Sequence, residues 1–171
     1  MFRSVKIVLL IIINIAVDQV SKVLVRRNFD LKEQLAILGD IQGDGAKFLM
    51  YYVENKGAFL GMGSDMNDTL RIIFLLILPV LVLGYVTYYI FKTKELDKWS
   101  LFAFCCIIGG GIANVFDRIV FGEVTDFFYI SLGGVFKTGI FNVADMSVTT
   151  GLIILIFSNF FGKKKQTEVT T

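Results

Sequence analysis

The sequence predicts an α-helical membrane protein with four transmembrane helices and an extracytoplasmic β-rich subdomain, organised as one domain over residues 1–171. Two observations predict this fold class. Of the 171 residues, 55% are hydrophobic, whereas soluble domains are about 45–50% apolar. The apolar residues are concentrated in four segments, which are separated by two longer connections rich in glycine and polar residues.

The first predicted span covers about residues 5–25. Its aliphatic run, Val8–Ile13, follows two basic residues, which is also typical of a cleavable signal peptide. No small-x-small cleavage pattern comes next, and the segment stays compatible with a helix as far as Val25. We therefore predict a transmembrane helix that is retained in the protein.

Three further spans are predicted at about residues 70–91, 100–120 and 145–161. As a helix, the second span would reach about 33 Å, which exceeds the ~30 Å of a bilayer's hydrocarbon core. Pro79 lies near the middle of this span and predicts a kink there.

The two connections, about residues 26–69 and 121–144, are predicted to form the β-rich subdomain. Phe48–Val53 is rich in aromatic residues and is typical of a strand. Gly133 and Gly134 are expected to form a hairpin turn between two β-like runs.

Basic residues predict the orientation of the chain. They are concentrated at the N-terminus, between residues 92 and 98, and at Lys163–Lys165, and such segments face the cytoplasm. Four spans then place both connections outside the cytoplasm, and the polar residues of the spans converge near the outer boundary of the membrane. These residues are Asp18, Lys22, Asn114, Asp117, Arg118 and Asp145.

The composition excludes several kinds of chemistry. Histidine is absent, so catalytic triads and metal sites that depend on histidine are excluded. Cys105 and Cys106 are adjacent in an apolar run and are interpreted as buried hydrophobic residues. A metal-dependent transferase would need several acidic residues on one face of a helix, and the third span has only Asp117. We therefore expect no metal and no cofactor. The net charge of +2 gives no reason to expect nucleic-acid binding.

The remaining hydrolytic groups are two carboxylates, Asp126 and Asp145. Because two neighbouring carboxyl groups cannot both ionise cheaply, one keeps its proton. The ionised group can activate water, and the protonated group can polarise a carbonyl and later serve a leaving amine. Asn114, Asn142 and Arg118 are suited to hold the carboxylates and the substrate backbone.

Simpler interpretations of the same residues remain open. Asn142 and Asp145 are also what a helix cap at the fourth span requires, and Asp126 alone is typical of a loop acid. Asp18 and Lys22 have the spacing of an intrahelical ion pair.

Two further expectations concern the third span. Gly109–Ala113 is a face of small residues, typical of close helix packing, and it is also a candidate wall for an apolar substrate groove. Asp117 is interpreted as a positioning partner for its neighbour Arg118.

Five blocks of the sequence carry a resemblance to a known family. They are Asp18-x-x-Ser-Lys22, Asn55-x-Gly-Ala-Phe59, Gly110-Gly-x-x-Asn114-x-x-Asp-Arg118, Val124-x-Asp-Phe127 and Phe141-Asn-x-Ala-Asp145. In this order on four spans, they resemble the lipoprotein signal peptidases (signal peptidase II), which are bacterial membrane aspartic proteases.

The resemblance implies a function and a set of site residues. Asp126 and Asp145 would be the catalytic dyad, and the substrates would be diacylglyceryl prolipoproteins, cleaved before the lipidated cysteine. The resemblance also implies a bacterial inner-membrane protein in contact with lipid, with its active site near the extracytoplasmic face, and we expect a monomer. The residues that would bind substrate or support the dyad are Asp18, Lys22, Asn55, Gly57, Asn114, Arg118 and Asn142.

The alternative function is a small ion- or proton-coupled transporter, since charged residues within spans often mark ion pathways. Against it, the polar residues gather at one boundary, and no inverted repeat with broken helices is evident. A non-catalytic scaffold that binds lipid or a partner through residues 26–69 would leave Asp126 and Asp145 unexplained.

Overall fold

The computed structural model describes residues 2–43, 45–57, 66–133 and 136–162, with side chains as far as residue 158. Gly134 and Lys163–Lys165, named above, lie outside the described residues, as do Ala58 and Phe59 of one block. The elements are α1 (Phe2–Asn28), β1 (Gln34–Leu38), β2 (Lys47–Asn55), α2 (Asp68–Ile72), a π-helical segment (Ile73–Ile77), α3 (Leu78–Lys92), α4 (Lys98–Phe121), β3 (Val124–Leu132), β4 (Phe136–Lys137) and α5 (Val143–Gly162).

The helices give the membrane fold that the sequence predicts. Within the described ranges, α1, the continuous stretch Asp68–Lys92 and α4 are each long and apolar enough to cross a bilayer. The helix of the fourth predicted span, α5, is apolar over the shorter stretch Val143–Ser158. The helical stretches Phe2–Asn28, Asp68–Lys92, Lys98–Phe121 and Val143–Gly162 coincide with the four predicted spans and extend one to three residues beyond each predicted end.

The second span is irregular just before Pro79, where a kink is predicted. Five residues, Ile73–Ile77, form a π-helical turn, and the N–H of Leu78 donates to the carbonyl of Ile73. Proline lacks an N–H group, and its ring clashes with the carbonyl four residues earlier. A wider turn before Pro79 accommodates both effects, so the irregularity has an identifiable cause.

The described strands form one antiparallel sheet in the order β1-β2-β3-β4. The predicted strand Phe48–Val53 lies within β2, and Gly133 follows β3 with a positive φ of 60°. One face of the sheet packs on the helix ends through a cluster that includes Val25, Tyr52 and Phe127. This packing places the sheet across one end of the helices.

The small-residue face Gly109–Ala113 packs three helices together. Gly109 lies against α1, Gly110 against α5 and Gly111 against α3, and a Cβ atom at Gly110 would collide with the carbonyl oxygen of Ala144. The expectation that this face forms the wall of a substrate groove is therefore wrong, because other helices already cover it.

Candidate active site

The predicted carboxylates come from two elements that meet where the sheet covers the helices. Asp126 lies in β3, next to the β2 strand that it pairs with at Val53. Its side chain is buried, with 2% of the residue exposed. Asp145 is partly buried in the first turn of α5.

Three asparagines hold the two carboxylates. Asn55 Nδ2 donates to Asp126 Oδ2 at 2.8 Å, and Asn114 Nδ2 donates to Asp145 Oδ1 at 2.9 Å. Asn142 contacts both acids, because its Nδ2 donates to Asp126 Oδ1 at 2.6 Å and its main-chain N–H donates to Asp145 Oδ2 at 3.2 Å. A single residue therefore ties the two acids to each other.

Asn142 is also the N-cap of α5. Its Oδ1 accepts the main-chain N–H of Asp145 at 2.9 Å, and the Asp145 carboxylate accepts from Asn142 in return, which is the reciprocal pattern of a capping box. The main-chain N–H of Ala144, also in the first turn of α5, donates to Asp18 Oδ1 of α1 at 2.8 Å. The capping interpretation is thus correct, and the cap itself fixes the position of Asp145.

Lys22 is a fully buried cation between two carboxylates. Its Nζ lies 2.8 Å from Asp18 Oδ2 and 2.8 Å from Asp117 Oδ2, and it donates to Asn114 Oδ1 at 2.9 Å. Because Asn114 Oδ1 accepts a hydrogen bond from Lys22, Nδ2 of the same amide faces Asp145 and donates to it. The predicted intrahelical pair of Asp18 and Lys22 is confirmed, but it belongs to a larger network.

The expected pairing of Arg118 with its neighbour Asp117 is wrong, because both side chains have other partners. Its Nη2 donates to the carbonyl of Gly57 at 2.8 Å, and its Nη1 donates to the carbonyl of Asn114 at 3.3 Å. The N–H of Gly57 donates to Asn55 Oδ1 at 2.8 Å. Arg118 therefore fixes the turn after β2, and that turn orients the Asn55 amide toward Asp126.

The pKa of Asp126 is raised to about 7 from its ordinary value of 3.8. Burial is the main cause and the charge of Asp145 adds to it, while the amides of Asn55 and Asn142 act in the opposite direction. Asp126 therefore keeps its proton to much higher pH than an exposed aspartate, as one member of a close carboxyl pair must.

Two polar residues that join helices near the site were not predicted from the sequence. Gln19 Nε2 donates to Asp117 Oδ1 at 2.9 Å, and its position three residues before Lys22 was a usable signal. Ser147 Oγ donates to Asn14 Oδ1 at 2.5 Å and joins α5 to α1 deeper in the bundle. Within the described ranges, no group of three acidic, cysteine or histidine side chains is placed to hold a metal ion.

Two clefts open on either side of α5 at Asp145. The first, of about 460 Å³, lies between α5 and the π-helical segment, and its polar end is formed by Asn114, Arg118 and Asp145. The second, of about 430 Å³, lies toward β4. Asp145 and Thr149 line both clefts. Apolar residues of the first cleft include Phe74, Leu75, Pro79, Val148 and Leu152, and those of the second include Phe136, Phe141 and Met146.

Fold and site together define an integral membrane protein whose carboxylates are gathered under a small sheet, between two apolar clefts. Comparison with known proteins agrees with this class of protein and identifies the family within it. The family model described as signal peptidase (SPase) II matches residues 10–161. The chain therefore belongs to the signal peptidase II family.

Individual relatives and solved structures agree with this family. The lipoprotein signal peptidase of Borrelia duttonii is 36% identical over 167 residues, which cover 94% of each chain. That of Psychromonas ingrahamii is 34% identical over 152 residues, covering 89% of this chain and 83% of the relative. A bacterial membrane enzyme solved by the in meso method at 2.3 Å resolution superposes with a TM-score of 0.77 at 22% identity, over 97% of this chain and 92% of that one. The superposition shows a shared fold, and the family makes the chain a signal peptidase and not a transporter.

Proposed function

We propose that this protein is an aspartic endopeptidase that removes signal peptides from diacylglyceryl-modified prolipoproteins, cleaving before the lipidated cysteine. Asp126 and Asp145 are the catalytic dyad of this proposal. The observation that carries it is the position of Asn142, which donates to Asp126 Oδ1 at 2.6 Å and to Asp145 Oδ2 at 3.2 Å. Side-chain and main-chain donors of one residue reach only groups that are close to each other.

The raised pKa of Asp126 supports its role as the protonated member of the dyad. Asp145 then takes a proton from water, the hydroxide adds to the scissile carbonyl carbon, and Asp126 gives its proton to the carbonyl oxygen. As the C–N bond breaks, Asp145 passes its proton to the leaving amine of the cysteine, and Asp126 recovers its own from the former carbonyl oxygen. The products are a carboxylic acid and an amine, and both carboxyl groups return to their starting states.

The surrounding residues are proposed to support the dyad or bind substrate. Asn114 and Arg118 line the first cleft and are placed to meet the substrate backbone. Lys22 holds the Asn114 amide, and Asp18 caps the helix that carries Asp145. The turn formed by Asn55 and Gly57 lies between Asp126 and Arg118 and is proposed to contact the substrate from the sheet side.

The two clefts fit the two apolar parts of such a substrate. Its signal helix and its diacylglyceryl group both diverge from the scissile bond, and the clefts diverge from Asp145 and Thr149. We assign the first cleft, between α5 and the π-helical segment, to the signal helix, and the second to the acyl chains. Both parts of a substrate that lies in the bilayer would reach the dyad laterally.

The orientation and assembly of the protein are also part of the proposal. The basic residues at the ends of the spans support a cytoplasmic position for both termini, with the sheet and the dyad near the extracytoplasmic face of the inner membrane. We also propose that the protein acts as a monomer surrounded by membrane lipid.

The first prediction tests the dyad by substitution. Asp126→Asn and Asp145→Asn are each expected to lower the rate of cleavage by about 10²–10⁴-fold, because each removes an acid–base group. The measurement is turnover of a synthetic diacylglyceryl prolipoprotein by purified enzyme, with thermal unfolding as a check of the fold. Asp30→Asn, at an exposed acid, is the matched control and should leave turnover unchanged.

Normal turnover by either dyad variant would refute the assignment. A chelator is added in a parallel reaction, in which we expect full activity. Loss of activity that a divalent metal ion restores would favour a metal-dependent mechanism over the proposed one.

A further inference from the structure

A third cleft lies on the other face of the sheet. Side chains alternate between the faces of a strand, and in β2 the side chains of Met50 and Tyr52 pack toward the helix ends at Val25. Leu49 and Tyr51 therefore point away from the helices, and they line a cleft of about 520 Å³. We call it the outer cleft.

The outer cleft is positively charged and rich in hydrogen-bonding groups. Among the described residues, its lining includes Lys47 and Lys137 but no acidic residue. Lys47 Nζ donates to the carbonyls of Ile41 and Gly43, at 2.8 and 2.9 Å. Both acceptors are uncharged, and no acidic residue that the structure describes forms a salt bridge with Lys47. Lys137 is exposed. The remaining polar side chains of the lining are Gln34, Tyr51, Tyr129 and Thr138.

The outer cleft is continuous with the proposed substrate site. It shares Lys137 and Thr138 with the second cleft, and the second cleft shares Asp145 and Thr149 with the first. The order of the clefts is therefore first cleft, Asp145, second cleft and outer cleft. A prolipoprotein has the same order along its chain: signal helix, scissile bond, lipidated cysteine and mature polypeptide.

We propose that the outer cleft binds the first residues of the mature lipoprotein, directly after the lipidated cysteine, and that it favours acidic residues there. The inference rests on the proposed function, because it names a further part of the same substrate. The mature chain has to leave the dyad on the aqueous side, and this cleft faces away from the helices. Two lysines with no described acidic partner attract carboxylates and repel basic residues, while amide and hydroxyl groups suit an extended peptide.

The test compares three substrates that share one signal peptide and one diacylglyceryl cysteine. The cysteine is followed by Asp-Asp, Ser-Ser or Lys-Lys. For the native enzyme we expect kcat/KM to fall in that order, by about threefold for each exposed ion pair that is formed or removed. The difference should lie in KM, with kcat little changed, because the ion pair is equally strong in the bound substrate and in the transition state.

Charge reversal at Lys137 is the matching change in the enzyme. Lys137→Glu should reverse the preference between the Asp-Asp and Lys-Lys substrates, and Lys137→Gln should remove it. Arg27→Glu is the control, because Arg27 is exposed at the end of α1 and lies outside the cleft. The substitution makes the same change in net charge as Lys137→Glu. Lys47 is left intact, since its two hydrogen bonds hold the neighbouring loop.

The outcomes separate this inference from the proposed function. Equal kcat/KM for all three substrates, or an unchanged preference in Lys137→Glu, would overturn the inference while cleavage itself still supports the proposed function. Failure of the folded enzyme to cleave any of them would overturn both. The assays are repeated in nanodiscs of zwitterionic and of anionic lipid. A Lys137→Glu effect that follows the lipid and not the mature residues would assign the cleft to lipid headgroups and overturn the inference.

Discussion

At the scale of single residues, Asn142 shows how a structural role and a proposed catalytic role combine. Its Oδ1 accepts the N–H of Asp145 and so begins α5, while its Nδ2 donates to Asp126. The sequence offered the cap and the dyad support as separate interpretations. The structure fulfils the cap with the same side chain that contacts Asp126, because one amide carries both an acceptor and a donor.

Asp117 shows where residue-level prediction failed. Its neighbour in sequence, Arg118, suggested an ion pair, but adjacent residues on a helix point about 100° apart. Asp117 consequently faces Lys22 of α1, whereas Arg118 reaches the turn at Gly57. Helical periodicity alone was enough to exclude the adjacent pair, but the identity of the correct partner depends on how α1 and α4 pack.

The pKa of Asp126 predicts how stability depends on pH. It is about 7 in the folded protein against an ordinary 3.8, so between these values the folded state binds more protons than the unfolded state. The free energy of unfolding therefore falls as the pH rises through this range, by on the order of 2–4 kcal/mol for this group. Asp126→Asn cannot titrate, and its stability should fall less over the same range.

Thermal unfolding between about pH 4 and pH 8 measures this difference. Glu123, whose pKa is also raised by burial, titrates in both proteins and cancels in the comparison. Parallel stability curves for the native protein and Asp126→Asn would contradict the shifted pKa.

At the scale of whole elements, local patterns were sufficient for the helices and for one strand. Each helix is specified by its own apolar run, and Phe48–Val53 by its own aromatic composition. The pairing of β2 with β3 was not predictable, because Asp126 pairs with Val53 across a long separation in sequence. The π-helical turn was also missed: Pro79 predicts a disturbance, but the surrounding packing selects the form that it takes.

The contact between α4 and α5 predicts a sensitive glycine. In Gly110→Ala the new methyl group would meet the carbonyl of Ala144 and approach Val148 Cγ2 to 2.9 Å. We expect a loss of about 1–3 kcal/mol in stability. We also expect reduced cleavage, because displacement of α5 at Ala144 moves the adjacent Asp145. Thermal unfolding and turnover of the purified variant test both effects.

Gly84→Ala is the matched control, since Gly84 lies within α3 and no described residue approaches its Cβ position within 4 Å. Alanine is favoured over glycine in a helix by about 1 kcal/mol, so this variant should be as stable as the native protein or slightly more stable. Equal behaviour of the two variants would show that the α4–α5 contact does not limit either property.

At the scale of the whole molecule, composition predicted a membrane protein. The absence of other hydrolytic groups pointed to Asp126 and Asp145, and the family resemblance then added the residues around them. The first cleft and the outer cleft could not be predicted from the sequence, because each is lined by residues from elements far apart in the chain. The first cleft, for example, combines Phe74, Arg118 and Leu152. Its width depends on the path of the second span beside α5, which no local pattern specifies.

The orientation of the whole molecule gives the last prediction. Lysines at 92, 94 and 98 lie in or beside the connection between α3 and α4, so that connection should face the cytoplasm and the sheet should face outward. Single cysteines replace Asp30, after α1, and Lys94, which are both exposed. A membrane-impermeant maleimide applied to intact spheroplasts should label Asp30→Cys at once and Lys94→Cys only after permeabilisation. Cys105 and Cys106 are buried and should contribute little background, which the native protein measures directly. Labelling of Lys94→Cys in intact spheroplasts, with protection of Asp30→Cys, would place the dyad on the cytoplasmic side, where the proposed cleavage of an exported substrate could not occur.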